Sequence, residues 1–406
     1  MTEQISVDDW STDYEIFDPQ YATDPVPIWK DLRDRCPIAH SDRHERSELP
    51  TKYADVQAIA KMPEHFSSRD PLVVPLPEGV RNDKNFEKYG ANAPPISSDG
   101  AEHAWTRRLL LLLHFSPPAV EKHRAYTEDV CHRLIDGFID SGHVDGATGY
   151  AQQIPPRIIA HLLGVDEDRV DDFTYWVRAV LELGLQEPAL RVKYRDVIRN
   201  FFRETVADRR ANPGGDDLIS ALLTATDPDG NPVDPEIVVG MANLQLVAGI
   251  DTTWSSIGSA LFHLGTNPQD LERLRAEPEL WPGAIEEFLR FYSPVTMARV
   301  VDSPVTYGGI DFVPGDKVLM NFPGANHDPD VFEDPDTFII DRAENRHVAF
   351  GAGIHRCAGS NLARLEMDVA LRTFADRIGD FSVQTPSEVS WASGQVRGPR
   401  ILPITF

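Results

Sequence analysis

The run Phe350-Gly-Ala-Gly-Ile-His-Arg-Cys357-Ala-Gly359 constrains this chain more than any other stretch. It sets a single cysteine among glycines, directly before Ser360–Leu371, where apolar residues recur at helical spacing. A helix beginning there points its first-turn amides and the positive end of its dipole back at Cys357. Both favour a thiolate over a thiol. The glycines at 351, 353 and 359 let the backbone turn tightly and approach something flat and bulky.

A cysteine ahead of an apolar helix has other readings. It can be a buried core residue. A zinc ligand would need partners at short spacing, and the other cysteines are Cys36 and Cys131. A nucleophile paired with His355 is a third reading, although two residues of separation say little about distance in space. The ten-residue pattern is more specific than any of these. A thiolate with no second cysteine nearby suits the axial ligand of a haem iron. The stretch resembles the haem-binding loop of the cytochrome P450 family. By that resemblance Cys357 is the metal ligand, and Phe350, His355 and Gly359 surround haem b.

The resemblance extends to an Ala248-Gly249-Ile250-Asp251-Thr252-Thr253 run in the middle of the longest expected helix, 235–265. Asp234 as N-cap, Pro235 at the first position and Gly265 as stop define that helix. An acid and two hydroxyls are unusual in a buried helix. Threonine hydroxyls bond the carbonyl one turn back and locally open a helix, and Gly249 removes bulk where a small molecule would approach. Standing alone, the run reads as a core helix with self-satisfied threonines. Its likeness to the family's oxygen-activating segment gives Thr252 the ordering of dioxygen and water, and Asp251 the relay of protons.

Two further patterns are weak alone and informative in this order. Glu287 and Arg290 share a helix face, and with Arg342 they resemble the family's buried ion-pair cluster, a structural element. His103 and Arg107, at i and i+4 before Phe115-Ser-Pro117, match donors to a haem propionate, as do Arg299 and His355. Before His103 stands Ser98-Asp-Gly-Ala where the family has Asp-Pro-Pro, a change expected to loosen the loop. His327 stands where arginine is usual.

Around these motifs the chain reads as mostly helical. Helices are expected near 54–61, 102–113, 118–140, 149–163, 167–185, 189–211 and 216–225, and strands near 47–52, 298–302, 305–307, 310–313, 317–320 and 401–406. Ser67–Ser98 reads as a long loop. The fold implied is the family's triangular α prism with a smaller β-rich region. Residues 1–406 form one catalytic domain, with the haem between the long helix and the cysteine loop.

Composition narrows the function classes. Of 406 residues, 41% are apolar and 25% charged, as in soluble globular proteins. The formal charge of −25 argues against nucleic acid or an anionic membrane as partner. Three widely spaced cysteines fit a reducing, cytoplasmic setting. The longest apolar run, Leu109–Leu113, is far short of a membrane span, and the first ten residues carry no signal-peptide pattern.

The resemblance therefore implies a monomeric haem-thiolate monooxygenase that takes dioxygen and a small organic substrate. Its electrons come from NAD(P)H through ferredoxin and ferredoxin reductase, since three cysteines do not supply an iron–sulfur cluster beside the haem. Arg108, Arg356 and Arg364 are the expected docking patch. Matching positions line the substrate pocket with the 70–97 loop, Leu244, Val247, Ala248, Val295 and Val396, mostly aliphatic. Arg81, Lys84, Lys88 and Ser97 are candidates to bind a substrate carboxylate. A peroxide-driven haem oxidase, or a haem-based sensor or electron carrier, is the alternative; the Asp251–Thr252 pair favours the monooxygenase.

Overall fold

The computed structural model describes residues 7–75 and 93–406. Its spine is the helix Pro235–Thr266, 32 residues and so about 48 Å long. Asp234 caps it as expected, accepting from the Glu236 amide at 2.9 Å. Its residues are apolar or small on nearly every side, the composition of a helix surrounded by protein. Helices Ile154–Leu163, Val170–Leu181, Pro188–Ala211 and Ser360–Ile378 all pack against it.

Glycines set how closely these neighbours approach. A Cβ on Gly249 would lie 2.6 Å from Ile159 Cδ1, so this glycine admits the helix Ile154–Leu163 and also lines a cavity beside the long helix. Gly265 does not end the helix. It sits inside the last turn against Val383, which would lie 2.9 Å from a Cβ, and Asn267 is the C-cap.

The other helices fall near their expected places, with breaks that periodicity did not show. The segment 102–113 is α-helical over Gly100–Leu110 and then widens into a π-helical turn, Leu111–Phe115. The segment 118–140 divides into Pro117–Glu121 and Arg124–Asp136. The segment 167–185 divides into Val170–Leu181 and Leu183–Gln186. At the C-terminus the expected single strand is two, Gly398–Ile401 and Pro403–Thr405.

A five-stranded sheet flanks the helical body. Its spatial order is Ile38–Ser41, Ser47–Pro50, Lys317–Met320, Met297–Val301, Phe66–Ser67. The pairing of Ser47–Pro50 with Lys317–Met320 is parallel and the others are antiparallel. Strand Met297–Val301 thus carries Arg299 inward from the sheet, next to the long helix's open face. No helix among the described residues is long and apolar enough to cross a membrane.

The Glu287 cluster ties the sheet side to the cysteine segment. Glu287 and Arg290 are both fully buried, joined by two bonds of 2.8 Å. Arg342 Nε reaches Glu287 Oε2 at 3.0 Å, and the Ile339 amide and Asn345 Nδ2 also donate to this carboxylate. Arg290 donates onward to the carbonyls of Asn326, Pro335 and Thr337. His327 is a packing residue, bonded to Asp336 Oδ1 at 3.0 Å and the Phe291 carbonyl at 3.1 Å.

Candidate active site

The cysteine loop is shaped by two left-handed glycines and one internal bond. Gly351 and Gly353 have φ of +73° and +70°, and the Cys357 amide donates to the Phe350 carbonyl at 2.7 Å. At Gly353 a side chain would collide with the Ala60 carbonyl, so the loop rests directly on the helix Tyr53–Ala60. Asn361 Nδ2 donates to the Phe115 carbonyl at 2.9 Å and fixes the start of the cysteine helix to the π-helical turn.

Cys357 has accessible surface because it faces a cavity, yet it lies deep within protein mass. Burial pushes its thiol up, while the Gly359 amide and the charges of Arg107, Arg356 and Arg364 pull it down. The helix-start preference for a thiolate is therefore outweighed by desolvation in the protein alone. A coordinated cation reverses that balance.

The cavity, about 210 Å³, lies between the cysteine loop and the long helix. Cys357, Gly359 and Phe350 form one wall; Leu244, Ala248 and Thr252 form the facing one. Val295, Met297 and Arg299 close a side. Two expected pocket residues lie elsewhere. Val396 is 3% exposed and pairs as an isolated bridge with Val295, behind the wall, and Val247 packs against the main core. Of the carboxylate-binding candidates, Arg81, Lys84 and Lys88 lie outside the described residues, and Ser97 Oγ accepts from the Ala93 amide.

Four donors converge at the cavity's edge. The His103 and His355 rings stand 4.2 Å apart between centroids, and Arg107 and Arg299 lie with them. Burial, with His355 and Arg107 adjacent, holds the His103 imidazole down at about 4. Burial likewise lowers Arg299 to about 10; it donates to the Ala298 carbonyl at 2.8 Å. Arg107 donates to the Arg356 carbonyl. The opposing charge here is Asp99, 3.5 Å from His355 Nε2. Burial works against its ionisation, but bonds from His355, Ser67 and the Ser68 amide keep Asp99 down at about 2. Asp99 thus anchors the loop that the missing prolines were expected to loosen.

His103 Nε2 is buried without a hydrogen-bond partner, and His355 Nε2 has only the long 3.5 Å contact with Asp99. Two arginines and two histidines against one carboxylate suit a ligand that brings two carboxylates of its own, and the glycines leave room for a flat ring. These residues fit haem b.

The oxygen-side pair is divided by the helix. Thr252 lines the cavity, and its Oγ1 donates to the Ala248 carbonyl at 2.8 Å, one turn back in a helix that stays α-helical throughout. Asp251 is fully buried and turned away. Its Oδ1 accepts from Arg400 Nη2 at 2.8 Å and Ser255 Oγ at 3.2 Å, while Oδ2 has no partner. Arg400 also bonds Glu182 at 2.8 Å, and Glu182 pairs with Arg178. Burial pushes the Asp251 carboxyl up to about 6 against the pull of Arg400.

Three cavity or near-cavity residues escaped the sequence reading. Arg400 comes from the strand Gly398–Ile401, and only its charge beside Pro399 and Ile401 hinted at a buried partner. Gln245 is polar in an apolar helical run, which is its visible signal in the sequence. Glu366 lines the cavity with burial holding its carboxyl well above the usual range.

A family profile described as Cytochrome P450 matches residues 170–392. The vitamin D(3) 25-hydroxylase of Pseudonocardia autotrophica is 32% identical, covering 97% of this chain and 96% of its own. The 6-deoxyerythronolide B hydroxylase of Saccharopolyspora erythraea is 32% identical over 91% of this chain and 88% of its own. Among solved structures, the bacillaene polyketide synthase cytochrome P450 PksS of Bacillus subtilis superposes with a TM-score of 0.86 at 27% identity, covering 97% and 99% of the two chains. Likeness along the whole chain, joined to a thiol that faces a cavity beside the long helix, has one explanation: this chain belongs to the cytochrome P450 family, the haem-thiolate monooxygenases.

Proposed function

We propose that all 406 residues form one catalytic domain, with Cys357 as the thiolate ligand, and that it hydroxylates a small to mid-sized, mainly apolar molecule. The observation that carries this reading is that Cys357 and Thr252 face one largely aliphatic cavity from opposite walls. The relatives named for hydroxylating vitamin D(3) and 6-deoxyerythronolide B support an apolar substrate.

Bound haem supplies the dioxygen chemistry, and electron donation from a thiolate ligand promotes O–O cleavage. The rest falls to side chains. His103, Arg107, Arg299 and His355 hold the cofactor's carboxylates by charge-assisted bonds. Thr252, its hydrogen turned to Ala248, offers lone pairs to the cavity and orders water there. Asp251 passes protons inward; a carboxyl near 6 both takes and gives protons close to neutral pH. Its pairing with Arg400 sets a resting position, and delivery requires the carboxyl to turn from Arg400 toward the cavity. Leu244, Ala248 and Val295 contact substrate.

The electron donor is a ferredoxin with its NAD(P)H-dependent reductase, and the enzyme acts as a cytoplasmic monomer. Arg108 and Arg356, both exposed, form the docking charge. Arg364 is withdrawn from the expected patch: it is paired with Glu286 at 2.6 and 2.8 Å and stacks on Phe350. Reversing charge at Arg108 and Arg356 slows reduction by a ferredoxin; unchanged reduction kinetics reject the patch. The first test of the whole reading is the absorption spectrum of the dithionite-reduced protein under carbon monoxide. A strongly red-shifted Soret band is expected, and an unshifted one removes Cys357 as thiolate ligand.

A further inference from the structure

The cavity's aliphatic wall carries one amide that neither cofactor binding nor proton transfer uses. Gln245 lies seven residues before Thr252 on the long helix, with Ala248 between them, and all three line the cavity. Residues seven apart return to one helix face, about 10 Å along the axis. Gln245 therefore stands on the same wall as Thr252, at the far end of the space a substrate fills. Its cavity neighbours include Leu244, Ile159 and Ile96.

Its amide orientation is set by the helix. Gln245 Nε2 donates to the Met241 carbonyl at 3.2 Å, and only the nitrogen end can serve that acceptor. Oε1 is left as an acceptor, and among the described residues no hydrogen bond reaches it. Gln245 is 8% exposed and lines the cavity, so this oxygen keeps surface that a ligand there can reach. A ligand that fills the cavity cuts the oxygen off from water, and leaving it unpaired is costly, so the site favours a ligand that supplies the donor.

We propose that Gln245 Oε1 recognises a hydroxyl or N–H donor on an otherwise apolar substrate. The bond fixes the polar end away from Thr252 and so selects which carbon is presented for hydroxylation. This deepens the monooxygenase reading and rests on it. Leu244, Ala248 and Val295 then supply affinity by burial, while Gln245 supplies orientation.

The experiment uses the holoprotein and three azoles: 4-phenylimidazole and its 3- and 4-hydroxyphenyl analogues. The azole nitrogen ligates haem iron and shifts the Soret band whatever stands at position 245. A protein without haem fails at that step, and a wrong assignment of Gln245 fails only in the comparison between probes. In the wild type, at least one hydroxylated azole binds better relative to the parent than it does in Gln245→Met, by about five-fold, the size of one hydrogen bond. Gln245→Glu, whose protonated carboxyl can donate to Met241 and still accept, keeps the wild-type preference. Affinity ratios that do not depend on residue 245, or a parallel loss for all three azoles in Gln245→Met, overturn the proposal.

Discussion

Replacing Arg400 by methionine removes the clamp between Asp251 and Glu182 while keeping an unbranched apolar stem. Arg400 Nη2 lies 2.8 Å from Asp251 Oδ1, and the carboxyl already sits at about 6 with that cation in place. The sign follows from linkage. The folded protein holds the Asp251 proton to higher pH than the unfolded chain does. Asp251 therefore withdraws stability as pH rises from about 4 to about 6, and its cost is constant above that. Without Arg400 the carboxyl titrates higher still, and the cost keeps growing by about 1.4 kcal/mol per pH unit. At an effective dielectric near 20 the lost attraction is about 4–6 kcal/mol. The carboxyl escapes part of this by keeping its proton, which caps the extra loss at pH 8 near 3 kcal/mol.

Glu182 is the clamp's other carboxylate. It is held low by Arg400 and Arg178 against the penalty of burial, and the substitution removes the first of these. Its share of the loss is what remains in the background of Asp251→Asn. With an unfolding entropy near 2.1 cal/mol/K per residue, a chain of this length shifts by about 1 °C per kcal/mol. The assay is thermal unfolding of wild type and Arg400→Met at pH 5 and pH 8. The deficit at pH 8 should exceed that at pH 5 by about 3 °C, and adding Asp251→Asn should remove most of the difference. Equal deficits at the two pH values would show that Arg400 does not hold an Asp251 carboxylate, and the reasoning would be refuted.

Other perturbations separate structural from chemical roles. Glu287→Gln leaves Arg290 buried without its counter-charge and should cost about 3–5 kcal/mol, read as a fall in unfolding temperature of the holoprotein. Thr252→Ala should lower product formed per NAD(P)H consumed by about ten-fold or more while leaving reductant consumption active, and Thr252→Ser should restore coupling. Gly353→Ala combines a disfavoured φ of +70° with a clash on the Ala60 carbonyl, and should reduce haem retention on gel filtration; full retention would mean the loop readily moves off helix Tyr53–Ala60.

The cysteine loop was legible because its determinants are local. Positive-φ glycines, a cysteine and a helix start all lie within ten residues of sequence. The long helix was legible from its cap and its length, but not its end. Gly265 looks like a stop in sequence and is a packing glycine in space, since only Val383 and Phe381 explain it. Gly249 borders the cavity as its sequence suggests, and its packing on Ile159 appears only in space. Arg364 appeared to be a surface cation until Glu286, 78 residues earlier, took it. Arg400 was invisible for a related reason: 149 residues separate it from Asp251. Local pattern carried the chemistry, and long-range pairing carried its tuning.

The central sheet sets a timetable for assembly. Strands from the first seventy residues stand on both sides of the pair 297–301 and 317–320, and Ser47 meets Lys317 only after 270 further residues have been made. At ribosomal rates this takes roughly 15 to 50 s. Arg397 then fastens the tail to the carbonyls of Ala22 and Thr23. Throughout that interval the hairpin 38–50 has a free edge at Ser47–Pro50, and Phe66–Ser67 lacks its partner, so both are open to wrong pairing. The Cys357 loop rests on helix Tyr53–Ala60, so the cofactor's seat is completed among the last events, when both ends of the chain have met. A cell making this enzyme quickly must therefore shield its amino-terminal strands for most of the time of synthesis.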